Sequence, residues 1–123
     1  MVRILIVDDS DFLRMSLKES IGTDSMEVME ADSGPKALEL LKDSKNPVDL
    51  VMTDYNMPEM DGISLAREIR KLENMENTPI IMLTTETSLE LKTKGKSAGI
   101  QAWVTKPPNP EVLKAAIKTL CRS

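Results

Sequence analysis

Residues 4–9 read Ile-Leu-Ile-Val-Asp-Asp, an apolar run that ends in two adjacent carboxylates. A polar residue follows an apolar run at three further places: Asp54 after Leu50 to Met52, Thr84 after Ile80 to Leu83, and Lys106 after Ala102 to Val104. Continuous apolar runs of this length are typical of strands buried on both faces of a parallel sheet. The polar residues that follow such strands would meet at the carboxyl edge of the sheet, where open α/β sheets bind ligands.

The sequence predicts five strands that alternate with five helices. The strands are predicted at Arg3 to Val7, Glu27 to Ala31, Asp49 to Thr53, Pro79 to Thr84 and Ala102 to Thr105. Apolar residues recur with helical spacing between these runs, and the predicted helix caps are Asp32 or Ser33, Asp61 and Asn109. The alternation predicts an α/β fold with a five-stranded parallel sheet and helices on both of its faces.

Length and composition limit the possible functions. With 123 residues, of which 41% are hydrophobic, the chain is predicted to form one domain over residues 1–123, with no output domain. The net charge of -4 gives no positive field for nucleic acid, and no run reaches the ~18 apolar residues of a membrane span. The single cysteine, Cys121, fits a reducing compartment, and no signal peptide is recognised. We therefore expect a cytoplasmic protein that binds neither nucleic acid nor membrane.

Three carboxylates, those of Asp8, Asp9 and Asp54, would share the pocket with the hydroxyl of Thr84 and the ammonium of Lys106. Nearby carboxylates repel one another unless a cation neutralises them, and an all-oxygen ligand set suits Mg²⁺. A carboxylate beside Mg²⁺ can attack phosphorus to form an aspartyl phosphate, while a lysine and a hydroxyl bind the phosphoryl oxygens. The residues therefore predict a magnesium-dependent phosphoryl acceptor.

Each of these residues also has an ordinary structural interpretation when it is taken alone. Asp8-Asp9 are candidate helix caps, Asp54 is a candidate turn residue, and a lysine before a proline is normally a solvated loop residue. Threonine is common in strands whatever their function. The functional hypothesis rests on the combination of all of them after successive strands.

The chain resembles the receiver domains of two-component response regulators, especially the stand-alone chemotaxis type. The resemblance covers the whole chain and rests on Val7-Asp8-Asp9-Ser10, Asp54-Tyr55-Asn56-Met57-Pro58-Glu59-Met60-Asp61-Gly62, Thr84 and Lys106-Pro107, in the family's order. It implies a doubly wound, flavodoxin-like sheet with strand order 2-1-3-4-5. It also implies a phosphorylation-activated regulator, with a sensor histidine kinase as phosphodonor and a downstream target protein, of which a flagellar motor switch is one candidate. Such a protein is not an enzyme beyond phosphorylating and dephosphorylating itself.

The resemblance implies a metal site around the phosphoacceptor. Asp54 is implied to be the phosphoacceptor. Asp9, Asp54 and the backbone carbonyl of Asn56 are implied to ligate Mg²⁺, and Asp8 is implied to act through a bound water.

The resemblance also implies the residues that read and limit phosphorylation. Thr84 is implied as the switch hydroxyl and Lys106 as the fixed cation, each binding an oxygen of the phosphoryl group. Trp103 is implied as a second switch residue that changes rotamer on activation. Asn56 and Glu86 stand at positions that flank the path of the hydrolytic water, and so would set the lifetime of the phosphorylated state.

The sequence departs from the family pattern at two places. Trp103 stands where the family usually has Tyr or Phe, and Pro108 follows Lys106-Pro107 where a large apolar residue is usual. The Lys106-Pro107 bond resembles a family cis peptide, which is accessible because proline lowers its cost.

A basic run, Lys92, Lys94 and Lys96, lies in the predicted fourth helix, whose apolar stripe of Leu89, Leu91 and Ala98 is thin. A solvated helix face is the favoured interpretation of this run. The alternative is a partner-docking surface beside Trp103.

Two other functional classes compete with a signalling switch. A Mg²⁺-dependent aspartyl-phosphate phosphohydrolase usually has an Asp-x-Asp pattern on its first strand, whereas Asp8 and Asp9 are adjacent here. A pure interaction module would be expected to lack the acceptor, the hydroxyl or the lysine, and none is missing. A phosphorelay intermediate stays open as a variant of the signalling hypothesis.

Overall fold

The computed structural model describes residues 2–22, 26–43, 47–73, 75–86 and 88–121. Strands and helices alternate along them: β1 (Val2–Val7), α1 (Asp11–Ile21), β2 (Met26–Ala31), α2 (Gly34–Leu41), β3 (Leu50–Asp54), α3 (Gly62–Arg70), β4 (Ile80–Thr84), α4 (Leu89–Ser97), β5 (Ala102–Thr105) and α5 (Pro110–Leu120). The five strands form one parallel sheet in the order β2-β1-β3-β4-β5. The predicted α/β fold and its strand order are confirmed.

The predicted strand bounds hold to within one residue, and the difference that affects the site is in β3. This strand was predicted at Asp49 to Thr53 and spans Leu50–Asp54. Asp49 lies just before the strand, where its Oδ2 accepts a hydrogen bond from the backbone N–H of Arg3 at 2.8 Å. Asp54 is consequently the last residue of a central strand whose residues are all buried.

The sheet is covered on both faces, as its apolar strands require. Alternate strand residues pack under α2, α3 and α4, and this core includes Leu5, Val7, Val51, Ile80 and Met82. The intervening residues pack under α1 and α5, and this second core includes Ile4, Ile6, Leu50, Met52, Ile81 and Leu83. The period of two along each strand therefore divides the interior into two layers, with the carboxyl edge of the sheet open between them.

Each helix begins at a polar side chain that satisfies a free backbone N–H. Three predicted positions are tested here. Ser33 rather than Asp32 caps α2, while Asp61 and Asn109 cap α3 and α5 as predicted. Ser10 and Ser88 cap α1 and α4 in the same way.

The buried face of α4 differs from the apolar stripe predicted for this helix. Leu91 and Gly95 are its buried residues, and Ala98 is buried just beyond its end. Leu89 was predicted to belong to this stripe, which is wrong, because it is 79% exposed. Positions two residues apart differ by about 200° around the axis of an α-helix. Leu89 therefore faces away from the side on which Leu91 packs.

The guanidinium of Arg70 ties the loop between α3 and β4 to the loop between α4 and β5. It donates to the backbone carbonyls of Met75 at 2.8 Å, Thr78 at 2.6 Å and Gly99. Gly99 has a φ of 94°, a conformation that glycine adopts at low cost. Burial lowers the pKa of Arg70, and three backbone carbonyls accept hydrogen bonds from its guanidinium.

Candidate functional site

The four predicted groups meet at the carboxyl edge of the sheet. Asp54 ends β3 and Thr84 ends β4, and the two strands are paired side by side. Asp8 directly follows β1, and Lys106 directly follows β5, so both project from the same edge. The topology therefore brings together residues that are far apart in the sequence, as the sequence predicted.

The three carboxylates form one acidic cluster. One oxygen from each of Asp8, Asp9 and Asp54 lies within 4.8 Å of the others. Asp8 and Asp54 are buried, whereas Asp9 is exposed, so the cluster opens to solvent on the side of Asp9. This combination of buried and accessible oxygens suits a hydrated divalent cation.

Lys106 supplies the positive charge of the site. Its Nζ lies 2.8 Å from Oδ1 of Asp54 and 3.6 Å from Oδ2 of Asp8. The lysine side chain is 18% exposed, so its charge is only partly screened by water. The bond between Lys106 and Pro107 is cis, as the resemblance implied.

Only one of the two carboxylate oxygens of Asp8 accepts a hydrogen bond from the described residues. Its Oδ1 accepts a hydrogen bond from the backbone N–H of Ser10 at 2.9 Å, but its buried Oδ2 has no hydrogen-bond partner among the described residues. Burial raises the pKa of Asp8, and the neighbouring charges of Asp54 and Asp9 raise it further, against the opposing effects of Ser10 and Lys106. A buried carboxylate oxygen without a hydrogen-bond partner, in an all-oxygen cluster, is a suitable ligand for a metal cation.

The acceptor candidate and the switch hydroxyl are each held by a neighbouring backbone group. Oδ1 of Asp54 accepts from the N–H of Tyr55 at 2.9 Å. The hydroxyl oxygen of Thr84 accepts from the N–H of Glu86 at 3.0 Å, and Thr84 is buried while Glu86 is exposed. The loop after β4 is thus bonded to the group predicted to act as the switch.

Three predicted residues lie outside the charged cluster, namely Asn56, Trp103 and the exposed Glu86. Asn56 is exposed in the loop between β3 and α3, two residues beyond Asp54, and its role as a backbone ligand stays a prediction. Trp103 is half-buried on β5 and packs against the core under α2, α3 and α4.

Sequence reasoning missed Arg14, whose guanidinium binds the backbone of Asp8 in the acidic cluster. Its Nη1 donates to the backbone carbonyl of Asp8 at 2.5 Å, and its Nε donates to Glu30 at 3.2 Å on β2. Its Nη2 also pairs with the carboxylate of Asp11. The spacing of Asp11 and Arg14, three apart on one helix face, is the signal that the sequence offered.

Comparison with known proteins decides the family. The model of the response regulator receiver domain matches residues 4–118. The chain belongs to the response regulator receiver family. A chemotaxis protein CheY homologue of Campylobacter jejuni is 36% identical over 120 residues, which cover 95% of this chain and 90% of the homologue. The solved structure of chemotaxis protein CheY4 of Vibrio cholerae is 37% identical, with a TM-score of 0.91 over 98% of both chains. The chain is thus a CheY-type receiver domain of a two-component system.

A third relative is a kinase that contains a similar segment. The sensor histidine kinase CheAY of Helicobacter pylori is 30% identical over 115 residues, which cover 94% of this chain and 14% of the kinase. Receiver domains of this family bind Mg²⁺ in an acidic pocket, and the carboxylates of Asp8, Asp9 and Asp54 are the acidic group of this chain. Within the part of the chain that the structure describes, no helix has the length and apolarity to cross a membrane.

Proposed function

We propose that this receiver domain accepts a phosphoryl group on Asp54 from a sensor histidine kinase and signals the change to a separate target protein. The observation that carries the proposal is the position of Asp54. It is buried at the end of a central strand, 2.8 Å from the Lys106 ammonium and within the cluster formed with Asp8 and Asp9. An acceptor carboxylate, a cation for the transferred group and a cation-binding cluster are the parts that phosphoryl transfer needs.

The residues fit Mg²⁺, with Asp8, Asp9 and Asp54 offering carboxylate oxygens and Asn56 offering its backbone carbonyl. The support is the Oδ2 of Asp8, which has no hydrogen-bond partner among the residues that the structure describes, and the crowding of three carboxylates within 4.8 Å. When bound, Mg²⁺ supplies positive charge that relieves this repulsion and screens the oxygens of an incoming phosphoryl group. Binding therefore both stabilises the native cluster and prepares it for an anionic donor.

Asp54 acts as the nucleophile in this proposal. One of its oxygens bonds to phosphorus as the phosphorus–nitrogen bond of a phosphohistidine breaks, and the electron pair of that bond returns to the imidazole nitrogen. Lys106 begins paired with the carboxylate of Asp54 and then binds an oxygen of the phosphoryl group. The positive charge is already in place where negative charge accumulates.

Thr84 and Trp103 transmit the change in this proposal. The hydroxyl of Thr84 turns towards the phosphoryl group and draws the loop that is bonded to it through Glu86. A local change in charge is thereby read out at a distance, on the surface around α4 and Trp103. A downstream protein binds that surface, and a flagellar motor switch is one candidate.

Hydrolysis of the aspartyl phosphate ends the signal. Asn56 and Glu86 are exposed, polar and close in sequence to Asp54 and Thr84, so both can orient water towards phosphorus. We propose self-dephosphorylation as the only hydrolytic activity. That residues 1–123 act as one domain, and that the protein is cytoplasmic, stay predictions.

Phosphotransfer profiling tests the proposal. Each phosphorylated sensor histidine kinase of the same genome is mixed with the purified chain and with Asp54→Asn, and label transfer is followed over short times. One kinase should transfer much faster than the rest to the parent and not at all to Asp54→Asn. Equal labelling of both proteins, or no transfer from any kinase, would contradict the proposed function.

A further inference from the structure

Trp103 and Gly95 fit against each other across the gap between β5 and α4. A Cβ atom built on Gly95 would overlap Cζ2 of Trp103, and would lie 2.8 Å from Cη2 of the same ring. It would also lie 3.3 Å from Cδ1 of Ile100. The outer edge of the indole therefore rests on bare backbone of α4, in space that any other residue at position 95 would fill.

Glycine is a costly choice at this position. Gly95 lies inside the nine-residue helix α4 and is buried, where glycine is less favourable than alanine by about 1 kcal/mol. It is also one of the two residues that α4 buries, the other being Leu91. Alanine at position 95 would stabilise this helix unless the space left by the absent methyl group were needed. The indole of Trp103 occupies that space.

The ring also lies on the same face of the sheet as the switch hydroxyl. Trp103 is paired in register with Met82 of β4, and both side chains belong to the core under α2, α3 and α4. Thr84 is two residues beyond Met82, so the period of two places its side chain on this face as well. Gly95, Trp103 and Thr84 thus lie on one face of the sheet, between α4 and the edge of the site.

We propose that Gly95 is a positioning residue: the space beside its backbone, which we call the seat, holds the indole of Trp103 against α4 in the unphosphorylated protein. Occupation of this seat by the indole stabilises the resting state. The inference rests on the proposed function, because it concerns the switch that phosphorylation operates. Binding of a phosphoryl group shifts the population away from the seated arrangement, and a ligand moves such an equilibrium only by its difference in affinity for the two states. Filling the seat with a methyl group weakens the resting state and so makes activation easier.

The test is the affinity for beryllofluoride, a phosphoryl mimic, measured by titration calorimetry in Mg²⁺. Calorimetry is preferred because the variants alter tryptophan emission directly. We expect Gly95→Ala to bind at least about fivefold more tightly than the parent. The matched control is Ser97→Ala, which changes an exposed residue of the same helix and should leave the affinity unchanged. In a Trp103→Ala background, Gly95→Ala should have no effect, since the ring it displaces is absent.

Thermal unfolding tests the seat without reference to phosphorylation. Gly95→Ala should lower the melting temperature when Trp103 is present and raise it in the Trp103→Ala background, where alanine only improves helix propensity. A Gly95→Ala protein that fails to fold, beside a double variant that folds, supports the seat. In that case the affinity is compared between Trp103→Phe and Gly95→Ala/Trp103→Phe, because a phenyl ring lacks the outer edge of the indole. A smaller increase in beryllofluoride affinity is then expected, and the absence of any increase would overturn the inference.

The remaining outcomes separate this inference from the proposed function. Equal affinity in the parent and Gly95→Ala overturns the inference alone, as does equal tightening in Ser97→Ala or in the Trp103→Ala background. Destabilisation by Gly95→Ala in both backgrounds also overturns it. A parent that does not bind beryllofluoride overturns the proposed function, and the inference falls with it.

Discussion

The ammonium of Lys106 lies 2.8 Å from Oδ1 of Asp54, so the proposed phosphoacceptor is already ion-paired in the unphosphorylated protein. The same ammonium is 3.6 Å from Oδ2 of Asp8, which has no hydrogen-bond partner in the described part of the chain. One cation thus partly neutralises two buried carboxylates in the absence of metal. Lys106 and Mg²⁺ must then compete to some degree for the same negative charge, because each reduces the repulsion that favours the other.

Lys106→Met tests this competition. Without the ammonium, the buried carboxylates lose a charged partner, and the free energy of unfolding without metal should fall by about 2 kcal/mol. Mg²⁺ should bind severalfold more tightly to the variant and restore part of the lost stability. Chemical unfolding with and without Mg²⁺ measures both effects, with Lys114→Met on the exposed face of α5 as the control. Weaker Mg²⁺ binding by Lys106→Met would show that the lysine does not compete with the metal.

Asp8→Asn should change how stability depends on pH in the absence of metal. Burial raises the folded-state pKa of Asp8 above its ordinary value of 3.8, so the folded protein keeps this proton to a higher pH than the unfolded chain does. The contribution of Asp8 to stability is therefore lost as the pH rises from about 3.8 through the folded-state pKa. Asparagine keeps the acceptor for Ser10 and does not titrate.

The measurement for Asp8→Asn is urea unfolding in a chelator at a series of pH values. The variant should gain stability over the parent progressively across this range and keep the gain at neutral pH. Glu39→Gln, an exposed change on α2, serves as the control for a carboxylate outside the cluster. Parallel curves for Asp8→Asn and the parent would mean that Asp8 titrates normally.

Glu86→Leu should prolong the phosphorylated state. The substitution removes a polar group that orients water, and the leucine side chain shields the phosphoryl group from solvent. We therefore expect dephosphorylation to slow a few-fold, well short of the roughly hundredfold effect of losing a general base. Phosphate release after removal of the donor measures this, with Glu76→Leu as an exposed control on another loop. Equal or faster decay in Glu86→Leu would remove this residue from the path of hydrolysis.

The single tryptophan should report the switch. Trp103 is half-buried, and the intensity or wavelength of its emission should change when Mg²⁺ and a phosphoryl donor are added. Thr84→Ala should weaken the phosphate-dependent part, because the hydroxyl that draws the loop after β4 is lost. A full signal in Thr84→Ala would mean that the ring senses only the nearby charge. Constant emission during proven phosphorylation would exclude Trp103 from the switch.

The sequence predicted the strands because their burial leaves a strong pattern of continuous apolar residues, as at Ile4 to Val7. It predicted the members of the site because the parallel sheet gathers whatever follows each strand. Strand order came from the family resemblance, since apolar runs carry no information about which strand lies beside which. Arg14 was missed although its spacing from Asp11 offered a local signal, because that spacing does not show the contact of its guanidinium with the backbone carbonyl of Asp8. The contact of Arg70 with Gly99 and the seat of Trp103 on Gly95 were missed because each joins segments whose approach no local spacing records.

The central claim is that Asp54 is the phosphoacceptor, and intact-mass and fragment mass spectrometry of the chain treated with acetyl phosphate test it most directly. With Mg²⁺ the parent should gain one acid-labile phosphoryl group, located on Asp54 by fragmentation, and should gain none in a chelator. Asp54→Asn preserves the volume of the side chain but has no carboxylate nucleophile, so it should stay unmodified while keeping its fold. A phosphoryl group found on another residue of the parent, or on Asp54→Asn at the parent's level, would contradict the account.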